Sequence, residues 1–368
     1  MCRIAGMKAI NPQHPRVMLK MMEAMQKGHD NSGFALVMQD LYGIFEPYKK
    51  YPMMSLAVTD KGLDIVKEYM KKEGWKEVWM YEPEYHYRQG LKIELMPRYV
   101  YPVYDWPEEA KDMTQEEREE LLVDTRLTLR KILEDANEGY IYSFWPDVLT
   151  LKEIGDPRHI GEYFGLWEED DKFVAKILTA QARQNTNYDI VRYAAHPFFL
   201  QGYTALANGE NTFYQKNKDY LKNLYKGYIG FESDSQCFLY TLHYVHKRLK
   251  LPLIYFKHVI TPLPVEEIEK RENKDTLLYL RASLSHLEIN GPNTIIGVLP
   301  DGTMFSTHDA KKLRPVVVGG TKERMFIASE VVGLNAVCPE RDWTKDIYTH
   351  EREMVIIDNN LEVHRWQQ

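Results

Sequence analysis

Four short stretches of this sequence carry groups able to act on one molecule: Cys2, Arg183, Asn208-Gly209 and Asp234. Removal of Met1, which a residue as small as cysteine permits, leaves Cys2 first in the chain with a thiol and a free α-amine. Such an amine has an ordinary pKa of about 7.7–8.0 and can accept a proton near neutrality. A nucleophile carrying its own base is one solution to amide cleavage, and N-terminal threonine uses it too. Arg183 offers a planar fork of donors that fits a carboxylate bidentately. Asn208-Gly209 sets a side-chain amide beside a backbone N–H, two donors suited to a developing oxyanion. Asp234, flanked by Ser233 and Ser235, can receive an ammonium group. A thiol, an oxyanion site, a carboxylate clamp and an ammonium clamp describe a site for an α-amino acid with a side-chain amide, which is glutamine. Taken alone, Cys2 reads more simply as a small residue ahead of a buried strand, Ile4-Ala5-Gly6. The other three pieces give it a chemical meaning.

The elements that must position these groups can be read from periodicity. After the opening strand, Val17, Met18, Met21, Met22 and Met25 recur at helical spacing between Pro15 and Lys27, an amphipathic helix with methionines in the core. The polar turn Gly28-His29-Asp30-Asn31-Ser32-Gly33 leads into an apolar strand, Phe34 to Met38. From Pro52 to Asp171 the character changes. Strands are expected at 55–59, 75–80, 91–104, 140–144 and 148–151, with helices from Lys61 and from the Thr114–Glu117 capping box. This β-α-β-β-α-β order is that of a split, ferredoxin-like unit. The chain is therefore divided into 1–48 plus 172–368, which hold every candidate site residue, and an inserted block, 49–171, with no catalytic motif. The second half alternates short strands with helical stretches, including a hairpin around Pro300-Asp301-Gly302. Many strands bracketed by helices suggest two stacked sheets under helical layers, an α+β fold.

Bulk composition excludes several function classes. The 368 residues carry 47 Lys+Arg against 54 Asp+Glu, a net charge of −7 spread along the chain. That leaves no basic stripe for nucleic acid and no polybasic membrane anchor. Cys2, Cys237 and Cys338 are far apart and form no CxxC pair, against a disulfide framework, a zinc ribbon or a cysteine-ligated cluster. There is no signal-like opening, no apolar run of about 18 residues and no dinucleotide-binding glycine fingerprint. A soluble, cytoplasmic protein with neither metal nor cofactor of its own is expected. His29, His196 and His308 read, one by one, as loop or core histidines.

In order, the motifs Met1-Cys2-x-Ile4-x-Gly6, Gly28-His29-Asp30-x-Ser32-Gly33, Arg183-x-x-Thr186-Asn187, His196-Pro197, Asn208-Gly209-Glu210, Ser233-Asp234-Ser235, Arg314-Pro315 and Ala328-Ser329-Glu330 resemble a class II, N-terminal-nucleophile glutamine amidotransferase. The match covers roughly 1–40 and 175–360. The resemblance implies a four-layer αββα sandwich with residues 49–171 inserted, and glutamine hydrolysed through a thioester on Cys2. Thr186, Asn187 and His196 join Arg183 and Asp234 as substrate-binding residues by the same resemblance, with Cys2, Asn208 and Gly209 catalytic. A chain without its own synthase domain looks most like the separate amidotransferase subunit of a multi-subunit glutamate synthase. Its partner would then be a synthase subunit in a hetero-oligomer, with FMN and iron–sulfur clusters in that partner.

The chain departs from the family pattern at four places. Arg3 stands where glycine is usual, Gln181 and Ala207 where histidine is, and Gln184 where an aromatic commonly follows the arginine. Arg3 is expected to crowd the nucleophile or to lower its pKa by charge. Two other readings stay open at this point: a non-catalytic subunit that keeps the fold for docking, and a hydrolase for some other amide. Arg183 and Asp234 count against the latter, because together they specify a free amino acid.

Overall fold

The computed structural model describes residues 2–185, 190–225 and 233–368. In chain order it opens with β1 (Arg3–Gln13), α1 (Arg16–Ala24) and β2 (Phe34–Tyr42). Next come β3 (Pro52–Val58), α2 (Asp60–Lys72), β4 (Lys76–Tyr81), β5 (Ile93–Glu94), β6 (Arg98–Asp105), α3 (Gln115–Ala136) and β7 (Gly139–Pro146). Then follow β8 (Val148–Gly155), α4 (Pro157–Tyr163), β9 (Val174–Ala182), β10 (Phe198–Leu200), β11 (Tyr203–Gly209), α5 (Tyr214–Leu224) and α6 (Gln236–His243). The remainder is α7 (Leu253–Ile260), α8 (Val265–Ile268), α9 (Lys274–Ser283), β12 (Asn293–Val298), β13 (Met304–His308), β14 (Val317–Gly320), β15 (Arg324–Ala328), α10 (Val331–Val337), β16 (Ile347–Tyr348), β17 (Glu353–Ile357) and β18 (Val363–Gln367).

Two large antiparallel sheets face each other. The first has order β16-β14-β15-β1-β9-β2-β8-β5 and the second β10-β11-β12-β13-β17-β18. Alternation along each strand sends every other side chain into the space between them. Ile4, Ile177 and Ile327 from the first sheet meet Leu206, Ile296, Met304 and Val355 from the second in one core cluster. Deeper along the same layer, Thr204 donates to the Gln39 side chain across the gap, at 2.9 Å. The opposite face of the first sheet is covered by α1, α10 and α4, and that of the second by α5, α6, α7 and α9. On α1 the side chains of Met18, Leu19, Met21 and Met22 are buried, as the spacing predicts. The layers run helix, sheet, sheet, helix: the four-layer αββα sandwich expected.

A third sheet, of order β4-β6-β3-β7, is built from the middle of the chain and is antiparallel throughout. Thr59 caps α2, and Thr114 with Glu117 forms the capping box that opens α3. Both helices cover one face of this sheet, through Leu63, Val66, Leu122 and Leu129. Its other face, with Tyr99, Tyr101 and Tyr142, belongs to the main core.

The limits set for the inserted block need correction. Residues 148–155, placed with the block on sequence, are β8, which pairs with β2 over Phe34–Gln39 in the eight-stranded sheet. α4 likewise packs on α1. The apolar run Val148-Leu149-Thr150-Leu151 follows β7 after a single turn residue, Asp147, so nothing in composition marks the change of sheet. The stretch expected as one strand from 91 to 104 is two: β5 pairs with β8, and only β6 belongs to the third sheet. Among the described residues, no helix is long and apolar enough to cross a membrane.

Candidate active site

Cys2 precedes β1 and shares strand parity with Ile4, so it faces the space between the sheets. Arg183 follows β9 with the parity of Ile177 and Gln181, and enters the same layer. β11 ends in Asn208 and Gly209, with Asn208 on Leu206's inward face. These three strand ends meet at one edge of the sandwich. Cys2, Arg183, His196, Gly209 and Asp234 line a single narrow cleft, together with Gln184, Asn185, Ser233 and Ser235. Of the expected site residues, Thr186 and Asn187 lie outside the described part of the chain, as does Met1.

The thiol is held by one residue. Cys2 Sγ donates to the Gln184 carbonyl at 3.6 Å and accepts from the Gln184 N–H at 3.4 Å. Burial pushes the thiol pKa up; the Gln184 N–H and the Arg183 charge pull it part of the way back. The resting group is therefore a thiol whose proton must be taken away. The Arg3 guanidinium is tied to Glu330 at 2.5 Å and donates to the Cys2 carbonyl at 3.5 Å, while its charge is not among the causes that shift the thiol. The neighbouring Ser329 hydroxyl accepts from the Ile4 N–H at 3.0 Å, and its own N–H bonds the Ile4 carbonyl. The Ala328-Ser329-Glu330 stretch thus pins the start of β1 and with it the cysteine.

Arg183 is fixed on both sides. Its backbone N–H donates to Gly33 O at 2.7 Å, and its Nη2 to Asn185 Oδ1 at 2.9 Å. Asp234 is 5 % exposed. It accepts from the Asn211 N–H at 2.7 Å, with the Ser233 and Ser235 hydroxyls at 3.5 and 3.4 Å. Among the described residues no basic side chain pairs with it. Burial accordingly pushes its pKa up to about 6, against the opposing pull of the Asn211 N–H. Buried carboxylates are ordinarily paired with a cation.

Asn208 is fully buried, and neither its Nδ2 nor its Oδ1 has a hydrogen-bond partner among the described residues. Buried amides are nearly always satisfied, so both orphaned atoms call for an explanation. Gly209 has φ +142°, and a Cβ there would stand 1.8 Å from the Pro292 carbonyl oxygen. Only glycine permits that approach, which sets the backbone at the cleft wall.

His196 lines the cleft but is engaged elsewhere. Its N–H donates to Gln181 Oε1 at 2.7 Å, and its ring lies 2.9 Å from Gln181 Nε2. Burial first, and then Arg183 and Lys152, hold it neutral, well below the usual histidine range. Gln181 therefore serves as the bracket for His196. Lys152 on β8 holds the same segment, donating to Ala195 O at 2.6 Å. Beneath it Arg192 pairs with the fully buried Glu153, which also accepts from Tyr99 of β6. The sequence reading missed Gln184, Asn185 and Asn211. The first two adjoin Arg183, but no spacing rule marks them.

No family model matches the chain. A stretch of 229 residues is 31% identical to an uncharacterized protein of Archaeoglobus fulgidus, covering 61% of this chain and 59% of that one. Among solved structures, the whole chain aligns with glutamine phosphoribosylpyrophosphate amidotransferase from B. subtilis, complexed with ADP and GMP, at 12% identity and a TM-score of 0.48. It also aligns over 59% of its length with a glutamine aminotransferase class-II domain protein from Silicibacter pomeroyi, at 10% identity and a TM-score of 0.35. The chain spans about three-fifths of the archaeal relative and about half of the B. subtilis enzyme.

Proposed function

We propose that this protein hydrolyses L-glutamine to glutamate and ammonia through a thioester on Cys2. The observation that carries the reading is one cleft holding a thiol, a guanidinium and a buried carboxylate that no basic side chain pairs among the described residues. Arg183 takes the substrate α-carboxylate and Asp234 its α-ammonium, which directs the side-chain amide toward Cys2. Once Met1 is removed, the Cys2 α-amine accepts the thiol proton and the sulfur attacks the amide carbon. Asn208 Nδ2, with no competing acceptor among the described residues, and the Gly209 N–H receive the oxyanion, each donor worth roughly 3–4 kcal/mol in the transition state. Collapse breaks the C–N bond, and the α-ammonium returns its proton to the leaving ammonia. Water then adds to the thioester with the same amine as base, and glutamate leaves as the thiol reforms. Thr186, Asn187 and His196 complete the substrate-binding set in this reading.

The ammonia passes to a synthase partner, glutamate synthase-like in kind, in a hetero-oligomer whose FMN and iron–sulfur clusters sit in the partner. The resemblance of the ordered motifs supports this finer part. The direct test is release of glutamate and ammonia from glutamine by the purified, processed chain. Turnover that vanishes in Cys2→Ala is expected. A correctly processed protein that binds glutamine yet never turns it over would favour the second reading, a docking or regulatory subunit, for which the raised thiol pKa speaks.

A further inference from the structure

The Gly28–Gly33 turn is a motif to which the proposed chemistry assigns no task. Asp30 in it reaches both ways. Its Oδ1 accepts from the Ser32 N–H at 3.0 Å, closing its own turn, and its Oδ2 accepts from the Asn185 N–H at 3.1 Å. The Asp30 N–H in turn points at the Arg183 carbonyl, at 3.4 Å, and the Arg183 N–H at Gly33 O. The turn thus grips the tripeptide Arg183-Gln184-Asn185 at both ends.

Each residue of that tripeptide has a separate duty at the cleft. Arg183 presents its guanidinium, braced by the Asn185 side chain. Gln184 supplies both contacts to the Cys2 sulfur. Asn185 receives the carboxylate of Asp30. A backbone segment that follows a strand is not held by the ladder of that strand, and its position must come from somewhere else. Here it comes from the turn: backbone bonds with Gly33 and Asp30 hold Arg183, and the Asp30 carboxylate holds Asn185.

We propose that Asp30 is the positioning residue of the site, holding the Arg183 clamp and the Cys2 thiol in register through the 183–185 tripeptide. It touches neither the substrate nor the sulfur. The clamp half of this statement rests on the glutamine reading above; the thiol half does not. An N–H bond to a charged carboxylate is among the stronger hydrogen bonds, so its loss is expected to be felt at both ends of the tripeptide.

The test compares Asp30→Asn and Asp30→Ala with the parent chain by two readouts. The first is glutamine turnover, where release of the clamp raises KM about tenfold in Asp30→Ala, the worth of one charged hydrogen bond. Asp30→Asn keeps one acceptor and falls between. The second is the rate of Cys2 alkylation by iodoacetamide against pH, read by peptide mass. With the Gln184 N–H no longer held at the sulfur, the midpoint moves to higher pH, because that donor opposes the effect of burial. Asp234, Arg183 and the α-amino group, the charged groups acting on the thiol, are not substituted in either variant. A shifted alkylation profile without any glutaminase activity upholds the positioning role and sinks only the substrate reading. An unshifted profile and unchanged KM in folded Asp30→Ala, with the parent's circular dichroism and unfolding midpoint, overturn the proposal.

Discussion

Asp234→Asn separates what the site costs the fold from what it does for the substrate. The carboxylate is buried, has no basic partner among the described residues, and is pushed by burial to a pKa of about 6 from the ordinary 3.8. At about 1.4 kcal/mol per pH unit, the ionised group destabilises the free protein by about 3 kcal/mol. The sign follows from proton counting. Between about pH 4 and 6 the folded state binds more protons than the unfolded one, so this contribution to stability falls as pH rises. Asparagine fits the same space, with Oδ1 still open to the Asn211 N–H and Nδ2 facing the two serine hydroxyls. Urea unfolding should therefore find Asp234→Asn more stable than the parent by about 3 kcal/mol at pH 8, and by under about 1 kcal/mol at pH 4. Glutamine should behave oppositely. On a Cys2→Ala background, which prevents turnover, a hundredfold excess over Kd stabilises the parent by about 2.7 kcal/mol. The doubly substituted chain should gain nothing measurable from it. A stability difference that is the same at both pH values would refute the electrostatic argument, and retained stabilisation by glutamine would refute the ammonium clamp.

Other outcomes follow from the same geometry. Asn208→Ala should lower kcat by about 10²–10³ with little change in KM, and should not destabilise the fold, because two polar atoms without partners among the described residues leave the interior; parallel kinetics and urea curves check both. The KM for glutamine should rise as pH falls through about 6, where Asp234 takes up a proton in the free protein, and stay flat across that range in Asp234→Asn if any turnover survives. Glu330→Gln frees the Arg3 guanidinium beside the nucleophile, so Cys2 should alkylate faster at neutral pH than in the parent. Gly209→Ala forces a methyl group against the Pro292 carbonyl and should give little folded protein, measured as soluble yield and thermal midpoint.

Much of this arrangement was legible in residue types and spacing, and the remainder has physical reasons for being hidden. Two stacked sheets under helical layers could be read from many short strands bracketed by helices, and the αββα order from the family resemblance. Strand membership was harder: Val148-Leu149-Thr150-Leu151 is equally apolar in either sheet, and only pairing with β2 decides. Cys2, Arg183, Gly209 and Asp234 stand around one cleft, as their side-chain chemistry suggested, although more than 170 residues separate Cys2 from the others. Backbone contacts are another matter. Gln184 acts through its N–H and carbonyl, which every residue owns, so no sequence could announce it. Arg3 shows the same limit from the other side, since its effect depended on Glu330, which sequence distance conceals. The Asp30 turn was visible as a motif, but what it holds is visible only in three dimensions.

Intact mass and peptide mapping before and after treatment with a diazo-ketone analogue of glutamine test the central claim most directly. The expected result is a chain lacking Met1 that gains one adduct, on Cys2, and loses that adduct when glutamine is in excess or Asp234 is replaced by asparagine. A processed chain that stays unlabelled, or labels at Cys237 or Cys338 instead, would contradict it.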